Sequence, residues 1–360
     1  MTIPGSISSY EQVLIGNDPA VGLRAIVAVH STALGPALGG TRFVAYADED
    51  AALHDVLDLA RAMTYKNALA GLAHGGGKAV IIGDPHRDKT PALLLAYARL
   101  VASMQGAYVT AADVGTYVAD MDLIATANPW TTGRSPENGG CGDSGDLTAV
   151  GVHHALKAVS EHLWGTPSLA GRRVAIAGAG KVGGRLAGHV LDEGGRVLVA
   201  DVNPEAVARL RAAHPQVEVA TSADELVEAD VDVLSPCALG HAITAEVADR
   251  LTAHAVCGAA NNQLAEHGLV DVLATRGVLF APDFLVNAGG VIAVGAEYAG
   301  RGSYDDGPAR ERARAIGPTL LDVLRRADAA GTTPLEAAER LAEERIAAAP
   351  ARPSFTSPVA

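Results

Sequence analysis

Two lysines set in apolar surroundings are the first residues able to do chemistry. Lys66 follows Leu57, Leu59, Ala60, Ala62 and Met63 and precedes Ala68, Leu69 and Leu72, a spacing that predicts a mostly buried helix. An ammonium there requires a partner. Lys78 follows Gly75, Gly76 and Gly77 and leads into Ala79-Val80-Ile81-Ile82, an apolar run between turn residues that predicts a buried strand. Three glycines allow a ligand or another backbone to come very close. At such a crevice an ammonium either binds a carboxylate as a cation or, once desolvation has cost it its proton, acts as a general base. Two lysines snorkelling beside a packing turn are the alternative. Asp113, in TAADVGT, follows a further apolar run, Ala107 to Ala111. Its carboxylate there can trade protons in a cleft, or cap a helix from Val114 to Leu123.

A second constellation lies downstream. The strand pattern Val174 to Ala177 runs into Gly178-x-Gly180-x-x-Gly183 and then a helix, and a second strand, Val197 to Ala200, ends in Asp201. Glycine spacing alone is weak evidence, but the strand, the helix and an acid about 20 residues on together predict a dinucleotide site. Gly178 permits the tight turn, Gly180 admits the pyrophosphate, Gly183 allows close helix packing, and the helix N-terminus favours the anion. Lys181 and Val182 within the motif, and Val202 after the acid, are placed with the cofactor. Asp201 accepts ribose hydroxyls and repels a 2′-phosphate, which selects NAD over NADP.

The elements that must position these groups alternate between strand and helix, which implies an α/β fold. Strands are expected at Tyr10 to Ile15 and Leu23 to His30, with a glycine turn at Gly39-Gly40-Thr41-Arg42-Phe43. Helices are expected at Asp48 to Asn67 and Thr90 to Gln105, the second capped by Thr90 with Pro91 at its first position. The run Thr131 to Asp146 is rich in Gly, Ser, Pro and Asn and reads as a hinge before a helix from Leu147 to Leu163. Later strands at Val231 to Leu234, Ala255 to Cys257 and Val278 to Phe280 each run into a polar or glycine turn. Ligands of open parallel sheets sit beyond the strands' carboxyl ends, which points Asn261 and Asn262 toward cofactor and substrate; a turn-forming Asn pair is the alternative. The last helices, Pro308 to Gly331 and Pro334 to Ala349, are amphipathic and expected to return to the first domain.

Composition bounds the rest. The 360 residues, 49% hydrophobic and 19% charged, fit a two-domain soluble protein. A formal charge of -13 argues against nucleic acid or an acidic membrane as partner. Cys141, Cys237 and Cys257 are far apart without CxxC spacing, so neither a disulfide framework nor a metal site is expected. The start of the chain has neither a basic segment nor a continuous apolar core, and no run of about 18 apolar residues occurs; a cytoplasmic location is expected. The Ala/Pro tail from Ala347 to Ala360 reads as frayed.

Several stretches carry a resemblance. GGTR at Gly39 to Arg42, MTYKNALAGL at Met63 to Leu72, GGGKAVIIGDP at Gly75 to Pro85, TAADVGTYVADMD at Thr110 to Asp122, TGRSPENGG at Thr132 to Gly140, CGAANNQL at Cys257 to Leu264 and APDFLVNAGGVI at Ala281 to Ile292 resemble the amino-acid dehydrogenase superfamily. Within it the chain is most similar to the bacterial leucine and valine dehydrogenases. The resemblance implies a substrate and oligomerisation domain at 1–135 plus 330–360, a doubly wound Rossmann NAD domain at 136–329, and a deep cleft where the two meet. It implies homo-oligomerisation through the substrate domain.

The resemblance also implies reversible oxidative deamination of an L-amino acid to a 2-oxo acid and ammonia. Lys66 binds the substrate carboxylate with help from Asn261 or Asn262. Lys78 activates water and Asp113 shuttles protons. Thr148, Cys237, Ala238 and Asn287 hold the nicotinamide half of the cofactor. Gly39 belongs with the substrate, whose side chain is lined by Leu38, Gly40, Met63, Ala111, Ala112, Val291 and Val294, all aliphatic or small. Such a pocket disfavours glutamate and favours branched aliphatic substrates, without separating Val, Leu and Ile, because a methylene is worth only about 1 to 3 kcal/mol. An aromatic amino-acid dehydrogenase on the same scaffold is the first rival; a catalytically silent NAD-binding sensor is the second.

Overall fold

The computed structural model describes residues 5–238, 240–300 and 303–350. The strands are β1 (Gln12–Asp18), β2 (Leu23–Ser31), β3 (Ala37–Val44), β4 (Gly75–Ile82), β5 (Tyr108–Ala112), β6 (Arg173–Ala177), β7 (Arg196–Ala200), β8 (Glu218–Val219), β9 (Val233–Pro236), β10 (Ala255–Val256) and β11 (Leu279–Phe280). The helices are α1 (Glu49–Leu69), α2 (Pro91–Ala102), α3 (Val118–Ala125), α4 (Gly145–Trp164), α5 (Gly183–Asp192), α6 (Pro204–Ala213), α7 (Ala223–Glu228), α8 (Ala245–Arg250), α9 (Leu269–Thr275), α10 (Asp283–Val286), α11 (Gly289–Ala299), α12 (Asp306–Arg314), α13 (Ile316–Ala330) and α14 (Pro334–Ala347). The tail beyond residue 350 lies outside the described residues. No described helix is long and apolar enough to cross a membrane.

The chain forms two compact units, one of Met1–Ser144, Val291–Ala309 and Ala342–Ala360, the other of Gly145–Gly290 and Arg310–Leu341. These bounds differ from the sequence-based division at 135/136 and 329/330. The hinge-like run up to 144 stays with the first unit because Glu297, on α11, accepts hydrogen bonds from Gly133 N, Arg134 Nε and Cys141 N. Leu335 belongs to the second unit because it packs into that unit's core.

In the first unit five strands form a mixed sheet in the order β1-β2-β4-β3-β5. β3 runs parallel to both β4 and β5, while β2 is antiparallel to β1 and β4. Because neighbouring residues of a strand face opposite sides, Val27, Phe43 and Ile81 pack with Leu93, Tyr97 and Val101 of α2 on one face. Ile26, Ala28 and Val80 meet Leu53, Val56, Leu57 and Ala60 of α1 on the other. α1 starts where its acidic first turn places it, with Asp48 accepting from Ala51 N at 2.8 Å, which satisfies a free amide and complements the helix dipole.

Three local expectations give way. Gly39 and Gly40 lie inside β3 and Gly75 to Gly77 inside β4; neither set is a turn. Glycine serves there because other chain passes where a side chain would stand: a Cβ on Gly39 would sit 1.8 Å from Gly77 O, and one on Gly76 2.1 Å from Thr64 N of α1. Asp113 does not cap a helix, since α3 begins only at Val118, where Tyr117 N donates to Asp120 Oδ2 at 2.9 Å. The expected helix Pro308 to Gly331 is two helices, α12 and α13, divided at Ala315.

The second unit is an all-parallel sheet in the order β11-β10-β9-β6-β7-β8. Its apolar strands are buried, with Ala175, Leu198, Leu234, Val256 and Phe280 in one core, as expected of a doubly wound sheet covered on both faces. The strand order reverses between β6 and β9, and such a switch point opens a crevice at the strands' carboxyl ends.

Candidate active site and dinucleotide site

Lys78 stands on β4 and Asp113 one residue past the end of β5, with β3 between them. Two strand spacings, each about 4.8 Å, separate the two backbones, yet Lys78 Nζ donates to Asp113 Oδ2. Gly40 makes this possible. A Cβ at Gly40 would lie 2.8 Å from Asp113 Cβ and 3.3 Å from its Oδ2, so the missing side chain is the gap that the pair occupies. β3 is fixed from the other face, where Thr41 Oγ1 bonds to Thr110 Oγ1 at 2.6 Å, and Tyr108 OH donates to Gly39 O at 2.8 Å.

Asp113 is held in place by its own turn. Its Oδ1 accepts from Val114 N at 2.6 Å, its N–H donates to Thr116 Oγ1 at 2.9 Å, and Thr116 Oγ1 donates to Thr41 O at 2.8 Å. Burial alone would raise the carboxyl's pKa. The Lys78 ammonium, then the Arg42 guanidinium and the Val114 N–H, outweigh burial and hold it at about 2. Lys78, 6% exposed, therefore faces a carboxylate rather than a carboxylic acid.

Apart from Asn261 and Asn262, the predicted substrate residues belong to the first unit, as this pair does. Met63 Cγ lies 3.5 Å from where a Cβ on Gly39 would stand. Lys66, half-buried in the last turn of α1, follows Met63 by three residues and so shares its side of the helix. Val294 and Ala112 meet across Gly133, whose Cβ would lie 3.7 Å from Val294 Cγ1 and 3.5 Å from Ala112 N. Ala111 and Val291 are buried, and Leu38 is wholly so.

The glycine motif of the second unit sits at the switch point. Gly178, with φ of +112°, would carry a Cβ 2.9 Å from that of Ala238 after β9, and a Cβ on Gly183 would strike Gly178 O at 1.9 Å. A Cβ on Gly180, in contrast, would project into open space. The first and third glycines thus pack the loop, and the second leaves a surface that a ligand can approach. Asp201 accepts from Ala179 N at 2.6 Å and from Asn203 N at 2.7 Å, which pins its carboxylate to this loop. Lys181 and Val202 are exposed beside it, Val182 is half-buried and Thr148 is buried. These residues fit the phosphates and adenosine ribose of a dinucleotide.

On the same unit, Asn287 Nδ2 donates to Asn261 Oδ1 at 2.8 Å, and Ala260 N donates to Pro236 O at 2.9 Å, which ties the segment of Asn261 to the end of β9, just before Cys237 and Ala238. Asn262 is exposed with φ of +49°, a backbone state that Asn tolerates better than most residues. All three cysteines are free thiols, and no cluster able to hold a metal occurs among the described residues.

Sequence reasoning missed Thr116, Asn67 and Glu297. Thr116 was signalled by its place three residues after Asp113, an ST-turn spacing. Asn67 donates to Leu38 O at 3.1 Å and to Gly75 O at 2.5 Å, tying the end of α1 to β3 and β4; a buried Asn beside Lys66 gave no separate signal. Glu297, wholly buried, was visible as the lone acid of the apolar stretch VIAVGAEYAG.

Comparison with known proteins agrees with this geometry. Residues 11–129 match the family described as Glu/Leu/Phe/Val dehydrogenase, dimerisation domain, and residues 200–352 match Glutamate/Leucine/Phenylalanine/Valine dehydrogenase. The chain is 54% identical to valine dehydrogenase of Streptomyces albus over 95% of its length and 94% of that protein's. It is 44% identical to phenylalanine dehydrogenase of Caldalkalibacillus thermarum over 98% of its length and 95% of that protein's. The crystal structure of L-tryptophan dehydrogenase from Nostoc punctiforme superposes with a TM-score of 0.82 at 37% identity, covering 94% of this chain and 96% of the other. The chain therefore belongs to the Glu/Leu/Phe/Val dehydrogenase family and is an amino-acid dehydrogenase acting on the CH–NH2 group.

Proposed function

We propose that this protein catalyses the NAD-dependent, reversible oxidative deamination of branched-chain aliphatic L-amino acids. The observation that carries the reading is the Lys78–Asp113 pair above Gly40, with only aliphatic or small side chains among the residues assigned to the substrate's side chain. The first unit binds the amino acid and the second the dinucleotide. The valine dehydrogenase relative at 54% identity, against 44% for the phenylalanine dehydrogenase, supports the aliphatic choice over the aromatic one.

The residues divide the work by their chemistry. Lys66 takes the substrate carboxylate as a cation, assisted by Asn261 or Asn262, and orients the α-carbon. A bound dinucleotide would supply the hydride acceptor for that carbon, and the substrate would be left as an imine. Lys78 must be neutral to act as base, and Asp113, whose Oδ2 is in contact with its Nζ, is the carboxylate that takes a proton from the substrate ammonium before hydride leaves. Neutral Lys78 then removes a proton from the water that attacks the imine carbon. Asp113 returns its proton to the nitrogen, which departs as ammonia, and the Asp113 carboxylate then takes the hydroxyl proton as the water oxygen becomes the carbonyl of the 2-oxo acid.

Gly178, Gly180, Lys181, Val182 and Gly183 hold the cofactor's pyrophosphate, and Thr148, Cys237, Ala238 and Asn287 its nicotinamide half. Asp201 and Val202 hold the adenosine end, and the Asp201 carboxylate repels a 2′-phosphate, which makes NAD the cofactor. We place the protein in the cytoplasm as a homo-oligomer assembled through the first unit, in keeping with the dimerisation-domain match at 11–129.

The test is initial-rate NADH formation with L-valine, L-leucine, L-isoleucine, L-phenylalanine, L-tryptophan and L-glutamate, each with NAD and with NADP. The reading requires a marked preference for the aliphatic acids with NAD. A preference for phenylalanine or tryptophan would overturn the pocket assignment, and no rate with any of them would favour a silent NAD-binding sensor.

A further inference from the structure

A cavity of about 550 Å³ lies in the first unit between the end of α3, the segment 128–134 and the last turn of α11. None of the residues lining it is among those assigned to substrate or cofactor, and its size is that of a small-molecule site. The segment is fixed along the outer edge of β5, where Thr110 N donates to Trp130 O at 3.0 Å and Thr132 N donates to Thr110 O at 2.8 Å. The Trp130 indole rests on Gly106, since a Cβ there would stand 2.6 Å from Trp130 Nε1. Tyr298 adds a second aromatic wall, its ring meeting that of His74 edge-on with centroids 5.1 Å apart.

The polar groups around the cavity are unevenly engaged. Glu297 is fully occupied, accepting from Gly133 N at 2.8 Å, Arg134 Nε at 2.9 Å and Cys141 N at 3.0 Å. Asn128 Oδ1 accepts from Trp130 N at 3.2 Å, and the Thr131 and Thr132 hydroxyls donate to Asn128 O and Thr110 O at 2.9 and 3.2 Å. What remains is donor capacity. Arg134 gives Glu297 only its Nε among its side-chain nitrogens; Nη1 and Nη2, like the Tyr298 hydroxyl, have no hydrogen-bond partner among the described residues and are not sealed from solvent. A guanidinium held in orientation by a buried carboxylate, with its two outer nitrogens unused, matches the two oxygens of a further carboxylate.

We propose that this cavity is a second ligand site of the first unit, taking a small organic monocarboxylate with a planar apolar body. The carboxylate meets Arg134 Nη1 and Nη2 and the Tyr298 hydroxyl, and the body lies against Trp130 and Pro129. A bare inorganic anion would satisfy Arg134 but leave the apolar walls in water. A neutral ligand would forgo the charge-assisted bonds to the guanidinium. The site does not depend on the roles given to Lys66, Lys78 and Asp113.

The test uses phenylacetate, which has no α-amine to be oxidised. Its binding is read by the emission of Trp130 in a Trp164→Phe background, since these two are the chain's only tryptophans, and by calorimetry on the wild type. A saturable change in emission with one site per chain is expected, and the affinity is expected to stay within about threefold when L-valine is saturating. Arg134→Lys keeps a cation for Glu297 but loses the paired Nη donors, and is expected to weaken phenylacetate about tenfold or more. Ala299→Glu sets a like charge on the cavity wall without touching the Glu297 clamp, and is expected to weaken it as well; melting temperatures show which variants are folded. No saturable change up to about 10 mM, or an unchanged affinity in the folded variants, overturns the proposal. So does displacement by L-valine, which would place the probe in the substrate pocket. Equal affinity for phenylacetamide would contradict the role of the guanidinium, and displacement by an equal concentration of inorganic phosphate would reduce the cavity to an anion subsite without a place for the body. Should Arg134→Lys fail to fold, Ala299→Glu and phenylacetamide carry the test.

Discussion

Lys78 and Asp113 pair across an intervening strand because Gly40, on that strand, has no side chain. Gly40→Ala is therefore expected to disrupt the pair rather than the fold: its methyl would stand 2.8 Å from both Ala112 O and Asp113 Cβ, and one of them must move. Misplacement of about 1 Å in a reacting group costs on the order of 100-fold in rate. We expect a fall of that size in kcat with dinucleotide binding unchanged. Full activity in this variant would mean that the gap is not used.

Much of this arrangement was legible before any coordinates. The glycine motif and Asp201 carry their meaning in spacing, since each glycine answers a separate steric demand of one local turn, and the structure packs Gly178 and Gly183 closely while it leaves Gly180 open. Lys78 was conspicuous because an ammonium among apolar residues has to be accounted for. The strand character of Gly39, Gly40 and Gly75 to Gly77 was not legible. Glycine's local preference is for turns, and only tertiary packing, here the passage of α1 and of neighbouring strands over those positions, turns it into a strand residue. That Asp113 pairs with Lys78 instead of capping a helix was not legible for a related reason: Thr41, Thr116 and Lys78, which hold it, are brought together by strand order, which local periodicity does not encode.

Asp201 carries the cofactor prediction. Asp201→Ala removes the carboxylate that faces the glycine loop and is expected to narrow the preference for NAD over NADP by about tenfold or more, roughly 1.4 kcal/mol. The ratio of kcat/KM for the two cofactors checks this. Undiminished discrimination would place the selectivity elsewhere.

Glu297 is expected to be a stability residue of the first unit. Its carboxylate is wholly buried and accepts from Gly133 N at 2.8 Å, Arg134 Nε at 2.9 Å and Cys141 N at 3.0 Å. Glu297→Ala leaves two amides and a guanidinium without their acceptor, a loss of about 3 to 5 kcal/mol by analogy with other broken buried pairs. Chemical denaturation reads it directly, and a loss below about 1 kcal/mol would contradict the buried clamp.

His153 supplies a pH prediction for the second unit. It stacks on His189 with ring centroids 5.2 Å apart, and its Nε2 lies 3.2 Å from Glu193 Oε1. Burial dominates the attraction of Glu193 and lowers the imidazole's pKa from 6.5 to about 4. A group whose folded value is depressed contributes stability that is complete above its unfolded pKa and is lost as pH falls through the folded one. The contribution, on the order of 2 kcal/mol, should therefore disappear between pH 6.5 and about 4. Melting temperatures of wild type and His153→Asn across that range are expected to converge toward the acid end. Parallel curves would show that His153 is not titrating there.

The most direct test of the account is the rate of NADH formation from L-valine by wild type and Lys78→Ala, with NAD binding measured on the same preparations. The account predicts that Lys78→Ala binds NAD as tightly as wild type but retains less than about 1% of its rate, as expected when a general base contributing 10²-fold or more is removed. A variant that binds NAD and still turns over L-valine at more than a few per cent of the wild-type rate would contradict the assignment of Lys78 as the base.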